Sequence, residues 1–182
     1  MKHFIIFLLV SFCFLASCGV DRNPEKPDNK PLVITDGSSN VTVAFDQKTF
    51  IEQRQLWQDT NVQNYQYEFS AIGFLPYYGI VFVENGNFKN DLPLMEYSEI
   101  SDFMEYSTID EIYKRIEEIF NSYNNKEQSK NDVYLTEILI EYDKINHIPI
   151  KINYIYYAPP DLIVDGTFYY KIENFSKLET AL

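Results

Sequence analysis

The sequence predicts an α+β protein in which two helices pack on an antiparallel sheet, in the order α-β-β-β-α-β-β-β. Two stretches, residues 49–59 and 108–123, begin with a capping box and continue with a helical pattern of apolar residues. The segments between and after them alternate apolar with polar residues, which is the period of a strand. Because runs of strands joined by short turns pair antiparallel, the helices and the sheet are expected to form separate layers.

The first half is predicted to contain one helix and three strands. Thr49 and Glu52 match the S/T-x-x-E capping box at the start of the helix. Tyr and Phe alternate with polar residues over 65–71, and a second apolar run covers 78–83. The Asn-Gly step that follows is the strongest short hairpin signal, so a returning strand is expected from Phe88.

The second half repeats this order with a clearer helix. From Ile109 to Tyr123 the apolar side chains fall on one helical face and the charged ones on the other. Prolines then separate three strand candidates, over 133–142, 150–157 and 167–175. No residue-level repeat relates the two halves, and the sequence leaves open whether they share one sheet.

Residues 1–17 have the layout of a secretory signal peptide. Lys2 supplies the positive end, Phe4 to Leu15 an apolar core, and Ala16 and Ser17 the small residues before Cys18. A Cys at this position makes the segment a lipobox, so we expect cleavage before Cys18 and acylation of both its sulfur and its new amino group. Two or three acyl chains would then hold the protein on a membrane. The apolar run is too short for a spanning helix, which needs about 20 residues.

Residues 18–45 are predicted to be the lipidated Cys and a flexible tether, and residues 46–182 a single α+β domain. The tether is polar, rich in Pro, Asp, Asn and Ser, and has no hydrophobic period. The stretches 32–34 and 41–43 leave open an alternative, a first edge strand. Gly19 stands where an Asp often retains lipoproteins in the inner membrane, which favours the outer membrane of a bacterial cell envelope.

Composition excludes several functions. The net charge of -12 would repel phosphate backbones, so no nucleic-acid partner is expected. Once Cys13 leaves with the signal and Cys18 carries lipid, the domain has no thiol for a disulfide, a nucleophile or a metal. Only His147 remains, which excludes His-rich zinc sites and leaves it as the one histidine for a catalytic triad. We therefore expect no cofactor, no metal and no enzyme activity.

Carboxylates are the remaining candidates for chemistry. Glu137 and Glu141, with Asp143, are predicted to share one strand face, where they would form a Ca²⁺ site, an acid/base pair or simply a solvated surface. Calcium requires six to eight oxygen ligands and usually a glycine-bearing loop, and no EF-hand pattern is present. Asp161 and Asp165 are explained by a turn and do not require a calcium site. A solvated strand face is the interpretation that we favour.

Tyrosines give the best indication of a binding surface. The chain has 15 Tyr and 14 Phe, and Tyr side chains offer a large contact area with a polar tip. Tyr156 and Tyr157 are adjacent and cannot share a strand face, so at least one of them is expected to point outward. The alternative is core packing. The candidate binding residues are Tyr65, Tyr67, Tyr154, Tyr156 and Tyr157.

Short motifs between residues 48 and 176 resemble a known family. They are Trp57, Asn64-Tyr65-Gln66-Tyr67, Asn85-Gly86, Ile119-Phe120, Glu141-Tyr142-Asp143, Ile148-Pro149, Ile150-Lys151-Ile152, Asp165 and Tyr170-Lys171-Ile172-Glu173-Asn174-Phe175. The family is that of small bacterial lipoproteins with the domain of unknown function numbered 6174. The resemblance implies an envelope lipoprotein with a small α+β domain and no established activity. Family members often carry two cysteines after the Tyr-rich segment, where residues 70–74 have none.

Together these features predict a lipid-anchored cell-envelope protein that acts as a binding or interaction module. Its membrane contact would be the lipid on Cys18, and its further partner, a protein or another envelope component, is unidentified. One alternative is a carboxylate-dependent enzyme acting on envelope glycans, which requires two carboxyl groups about 5–10 Å apart across a groove. Another is a structural subunit of an envelope assembly.

Overall fold

The computed structural model describes residues 38–72, 77–89, 107–129, 131–162 and 167–179. The α+β class is confirmed, and three short strands, β1, β2 and β6, are added to the predicted order. In chain order the elements are β1 (Ser38–Val41), β2 (Ala44–Phe45), α1 (Gln47–Asp59), β3 (Tyr65–Ile72), β4 (Tyr77–Glu84), β5 (Asn87–Phe88), α2 (Ile109–Tyr123), β6 (Lys126–Ser129), β7 (Tyr134–Tyr142), β8 (Pro149–Tyr157) and β9 (Thr167–Lys177).

Several predictions concern residues outside the described ranges. These are the signal peptide over 1–17, Cys18, the tether as far as residue 37, and Asp165. Within the described ranges, no helix combines the length and the apolar character that crossing a membrane requires.

Seven strands form one sheet, in the order β2-β7-β8-β9-β3-β4-β5. The two halves therefore share a sheet, because the last strand, β9, pairs antiparallel with β3. All neighbours are antiparallel except β2 and β7, which run parallel and pair through two residues each. The prediction of an antiparallel sheet thus holds for every long strand. β1 and β6 pair with each other in a separate two-stranded sheet.

Residues 38–45 form β1 and β2, with Thr42 and Val43 between them, whereas the sequence assigned them to the tether. Val41 is only 1% exposed, and the ring of Phe45 lies 5.2 Å from that of Phe50 and 5.0 Å from that of Phe120. The two strands are four and two residues long, too short for alternation to stand out in a polar segment. The folded domain therefore includes residues 38–45, ahead of the predicted boundary at residue 46.

Both helices pack on the same face of the seven-stranded sheet. Residues of α1, α2 and the five long strands belong to one core cluster. The helices also contact each other, because the rings of Phe50 and Tyr113 are 5.5 Å apart and Arg54 lies 3.0 Å from Glu117. The buried residues of α1 are Phe50 and Trp57, and those of α2 are Ile109, Ile112, Tyr113, Ile116 and Phe120.

The helix caps agree only in part with the predicted capping boxes. Thr108 caps α2 as expected, since its hydroxyl accepts the N–H of Glu111 at 3.1 Å. The prediction that Thr49 caps α1 is wrong. Asp46 is the cap and accepts the N–H of Thr49 at 3.0 Å, a bond that lowers the pKa of the Asp46 carboxyl. Asp is as good a cap as Thr, so the sequence pattern alone did not separate the two.

Candidate functional site

Three of the predicted binding tyrosines lie in the core. Tyr65, Tyr67 and Tyr154 are 2%, 1% and 1% exposed, and they face the helices. Aromatic residues have high strand propensity, so an alternating run of Tyr predicts a strand whether its aromatic side faces the helices or solvent. These three tyrosines have no surface left for a partner, so their assignment to a binding site is corrected to core packing.

Tyr156 and Tyr157 point to opposite faces, as expected for adjacent strand residues. Tyr156 is half-buried beside the core, with its ring 5.9 Å from that of Tyr123, and burial raises its pKa to about 12. Tyr157 stacks on Tyr134 at 4.8 Å, and both pack with Val41 in a small second core. Neither residue therefore offers a free aromatic face like that of an exposed binding residue.

Two buried tyrosine hydroxyls hold neighbouring elements in place. Tyr65 accepts the N–H of Ile109 at 3.1 Å, at the start of α2. Tyr113 donates to the backbone carbonyl of His147 at 2.7 Å, and burial raises the pKa of both phenols. His147 occupies a turn position with φ +58°, and its Nδ1 lies 3.1 Å from Oε1 of Gln53. These contacts give His147 a structural role in the turn before β8.

The face of the sheet opposite the helices carries the exposed strand residues, and we call it the open face. Its side chains alternate with those of the core along each long strand. Tyr78 is 45% exposed, Ile80 43% and Leu139 39%. The open face consists of Gln66, Glu68 and Ser70 on β3, Tyr78 and Ile80 on β4, Glu137, Leu139 and Glu141 on β7, Lys151, Asn153 and Ile155 on β8, and Tyr169, Lys171 and Glu173 on β9.

A row of paired charges crosses the open face from β7 to β9. Lys151 and Lys171 are cross-strand neighbours, an arrangement that is unfavourable unless the charges are compensated. Glu141 lies 3.4 Å from the ammonium group of Lys151, and Glu173 lies 2.7 Å from that of Lys171. The hydrogen bond that Lys171 donates to Glu173 raises the pKa of the Lys171 ammonium group. We call these four residues the charge row.

A shallow cleft of about 470 Å³ is lined by the four residues of the charge row, and the partly buried Ile150 and Phe175 give it an apolar border. Asn174, at φ +52°, is part of an irregularity in the pairing of β9 with β3 and allows both Ile172 and Phe175 to reach the core. The cleft therefore combines paired charges with an apolar border.

The predicted carboxylate site is only partly assembled. Glu137 and Glu141 share the open face, but Asp143 lies in the following turn. Asp143 accepts the N–H groups of Ile145 at 2.8 Å and Asn146 at 2.6 Å, and the bond from Asn146 is the main cause of its lowered pKa. Among the described residues, no three Asp, Glu, His or Cys side chains are grouped as metal ligands.

This arrangement suits recognition of a ligand better than bond cleavage. Lys151 and Lys171 present several N–H donors, while Glu141 and Glu173 supply acceptors beside them. Sequence reasoning singled out Glu141 only as part of a carboxylate group, and it missed Lys151, Lys171 and Glu173 because isolated Lys and Glu on a strand have no motif. The polar residues that alternate through β8 were the available signal.

Comparisons with protein-family models, with curated proteins and with solved structures each found no match to this chain.

Proposed function

We propose that this chain is a lipid-anchored protein of the bacterial cell envelope, held by Cys18, that binds a partner through the open face. The observation that carries the proposal is the difference in exposure on the two sides of one sheet. The tyrosines that face the helices are buried, while Tyr78, Ile80 and Leu139 remain between 39% and 45% exposed. A surface that combines exposed apolar side chains with charges is typical of interaction sites.

The charge row supports recognition of a ligand that carries both charges, such as a polypeptide. Each lysine in the row has a carboxylate partner, so a ligand with only one kind of charge would leave half of the row uncompensated. A polypeptide offers acceptors for Lys151 and Lys171 and cations for Glu141 and Glu173. Ile150 and Phe175, the partly buried apolar residues of the cleft, would contact its nonpolar side chains.

The carboxylate enzyme receives less support from this geometry. A general acid requires a carboxyl group that is kept protonated, usually by an apolar environment. In the cleft, Glu141 and Glu173 each face a lysine, and Asp143 accepts two backbone N–H groups. The two N–H groups lower the pKa of Asp143 and so favour its ionised form. We therefore retain the enzyme as the alternative and the binding module as the proposal.

Photo-crosslinking in living cells tests the open face. A benzophenone amino acid would replace Leu139 or Tyr169, which are on the open face, and separately Ile51 or Leu56, which are 63% and 42% exposed on α1. We expect one discrete adduct from Leu139 and Tyr169 and none from the two α1 positions.

A matched charge reversal sharpens this experiment. Lys171→Glu should weaken the open-face adducts at least about tenfold, because it places an uncompensated carboxylate beside Glu173. Lys114→Glu on α2 serves as the matched control, because Lys114 is likewise exposed and paired with a carboxylate at 3.2 Å, and it should leave the adducts unchanged. Adducts from Ile51 and Leu56 alone, or from none of the four positions, would contradict the proposal.

Metabolic labelling with an alkyne analogue of palmitate tests the anchor separately. The wild-type chain and Cys13→Ser should carry the label, and Cys18→Ser should lose it, because only Cys18 is the lipobox residue. Labelling that persists in Cys18→Ser would overturn the anchor without affecting the open-face experiment.

A further inference from the structure

The two edges of the seven-stranded sheet are protected to different degrees. On one edge, β2 pairs with β7 at Glu137 and Ile138, and β7 carries exposed charge at Glu141. On the other edge, β5 covers only the last residues of β4. The stretch from Tyr77 to Val83 has no charged residue and no proline. Natural sheets usually protect a long apolar edge with such residues, and an edge without them is suited to pairing with another strand.

The backbone of β4 presents two residues at this edge. The carbonyl of Phe82 accepts the N–H of Lys89 at 2.9 Å, so the peptide groups of Phe82 point away from β3. Because these directions alternate along a strand, the N–H and C=O groups of Tyr78 and Ile80 point the same way. Among the described residues, no strand pairs with β4 at Tyr78 or Ile80 on that side.

We propose that this edge is a dimer interface, in which β4 pairs antiparallel with β4 of a second copy about a two-fold axis at Gly79. In this register Tyr78 of each copy lies opposite Ile80 of the other. The backbone N–H and C=O groups of both residues point away from β3, so each Tyr78–Ile80 pair exchanges two hydrogen bonds across the interface. The register uses all four of the available edge groups of each chain, and it is the same for both partners, as a two-fold interface requires.

The side chains in this register also match. Tyr78 and Ile80 are on the open face and about half exposed, and the two-fold axis places an aromatic ring beside a β-branched side chain twice. Such cross-strand pairs are favourable. The two carboxylates nearest to this pair already have partners: Glu84 is bonded to Lys89 at 2.6 Å, and Glu68, opposite Ile80 on β3, is hydrogen-bonded to the Tyr78 hydroxyl.

Moving the two-fold axis from Gly79 to Ile80 removes this match. Pairing centred on Ile80 would place Tyr78 opposite Phe82, whose carbonyl already bonds to Lys89. A second copy therefore fits the five residues from Tyr77 to Val81, and β5 limits the interface at its far end. The dimer would use Tyr78 and Ile80 of the open face, whereas Leu139 and Lys151 lie on β7 and β8, at least three strands away from β4. Crosslinking from Leu139 therefore tests the proposed function separately from the dimer.

Charge-swapped pairs of the full-length chain test the register. Two co-expressed copies would carry different C-terminal tags, and one would be captured while the other is quantified. The K variant is Tyr78→Lys with Ile80→Lys, and the E variant is Tyr78→Glu with Ile80→Glu. We expect recovery to fall at least about tenfold for K with K and for E with E, since like charges face each other.

Mixing the K variant with the E variant should restore recovery, because each Lys then lies opposite a Glu of the partner. Absence of co-purification in the wild type, or its persistence in K with K, would overturn the proposal. So would failure of the mixed pair to recover while far-UV circular dichroism shows both variants folded.

A disulfide provides a second test that leaves Tyr78 and Ile80 intact. Gly79 faces itself across the axis in a pair whose Cα atoms would be about 4.5 Å apart, within the range that a disulfide spans. In a full-length Cys13→Ser background, Gly79→Cys should give a linked dimer at least about tenfold above the Asn87→Cys control, which is exposed on β5 outside the interface. Equal linkage from both positions, or a foreign peptide linked at residue 79 in place of a second copy, would overturn the proposal.

Discussion

The two faces of the seven-stranded sheet are built by the same strands but have opposite characters. The covered face consists of aromatic and aliphatic side chains under α1 and α2, and its buried hydroxyls bond to backbone groups, as Tyr65 does with Ile109. The open face has Lys–Glu pairs beside exposed Tyr78 and Ile80. Abundant tyrosine therefore identifies the strands, whereas the placement of the helices decides which tyrosines remain accessible.

Shortening one isoleucine to alanine on each face of the sheet tests this difference, and the change on the covered face should lower the free energy of unfolding most. Ile116→Ala removes a fully buried α2 side chain and should lower the free energy of unfolding by about 2–5 kcal/mol. Ile80→Ala removes a 43% exposed side chain and should lower it by about 0.5 kcal/mol or less. Urea titration at low protein concentration measures both. Equal effects would show that the open face is also part of the core.

Removing one tyrosine hydroxyl from each face of the sheet tests the same difference for hydrogen bonds. Tyr65→Phe leaves the N–H of Ile109 buried without its acceptor, which should lower the free energy of unfolding by about 1–3 kcal/mol. Tyr169→Phe is the matched change on the open face and should have an effect of about 0.5 kcal/mol or less. The same urea titration compares them. A smaller effect for Tyr65→Phe than for Tyr169→Phe would contradict the structural role of the Tyr65 hydroxyl.

Alkaline pH should lower the stability that comes from packing on the covered face. Burial raises the pKa of Tyr156 to about 12, above the unfolded value near 10, and it also raises the pKa of Tyr142. A raised pKa stabilises the folded protein fully below pH 10, and this stability is lost as pH rises from 10 through 12. The midpoint of urea unfolding should fall across this range, and fall less in Tyr156→Phe. An equal fall of the midpoint in Tyr156→Phe would show that Tyr156 does not cause this pH dependence.

The charge row should contribute least to stability. Lys171→Gln removes a partly exposed ion pair with Glu173, and such pairs are worth about 0–1 kcal/mol. The free energy of unfolding should therefore change little, while the open-face adducts of Leu139 weaken. A large loss of stability would instead assign the charge row a structural role.

Local signals explain why most elements were predictable. Asn85 and Gly86 have φ +53° and +73°, as a two-residue hairpin turn requires, and that step was visible in the sequence. The face of α2 that was expected to be apolar is buried at Ile112, Ile116 and Phe120. Each of these signals depends on residues close together in the chain, so no tertiary information was needed.

Long-range contacts explain what was missed. Residues 38–45 gain their structure from β6, β7 and the helices, which lie far along the chain. The binding tyrosines were misplaced because a strand residue has the same local pattern whether it faces a helix or solvent. The charge row was missed because Lys151 and Lys171 become neighbours only through the pairing of β8 with β9.

The sequence by itself determined the α+β class, the positions of the long elements and the hairpin, because period and turn chemistry are local properties of the chain. It also supplied the expected lipobox at Cys18. Only the tertiary structure decided that β9 joins β3 in a single sheet and that Tyr65, Tyr67 and Tyr154 are buried, leaving Tyr78 and Ile80 exposed. Strand pairing and helix placement bring distant residues together, and burial depends on those partners and not on the residue's own neighbours.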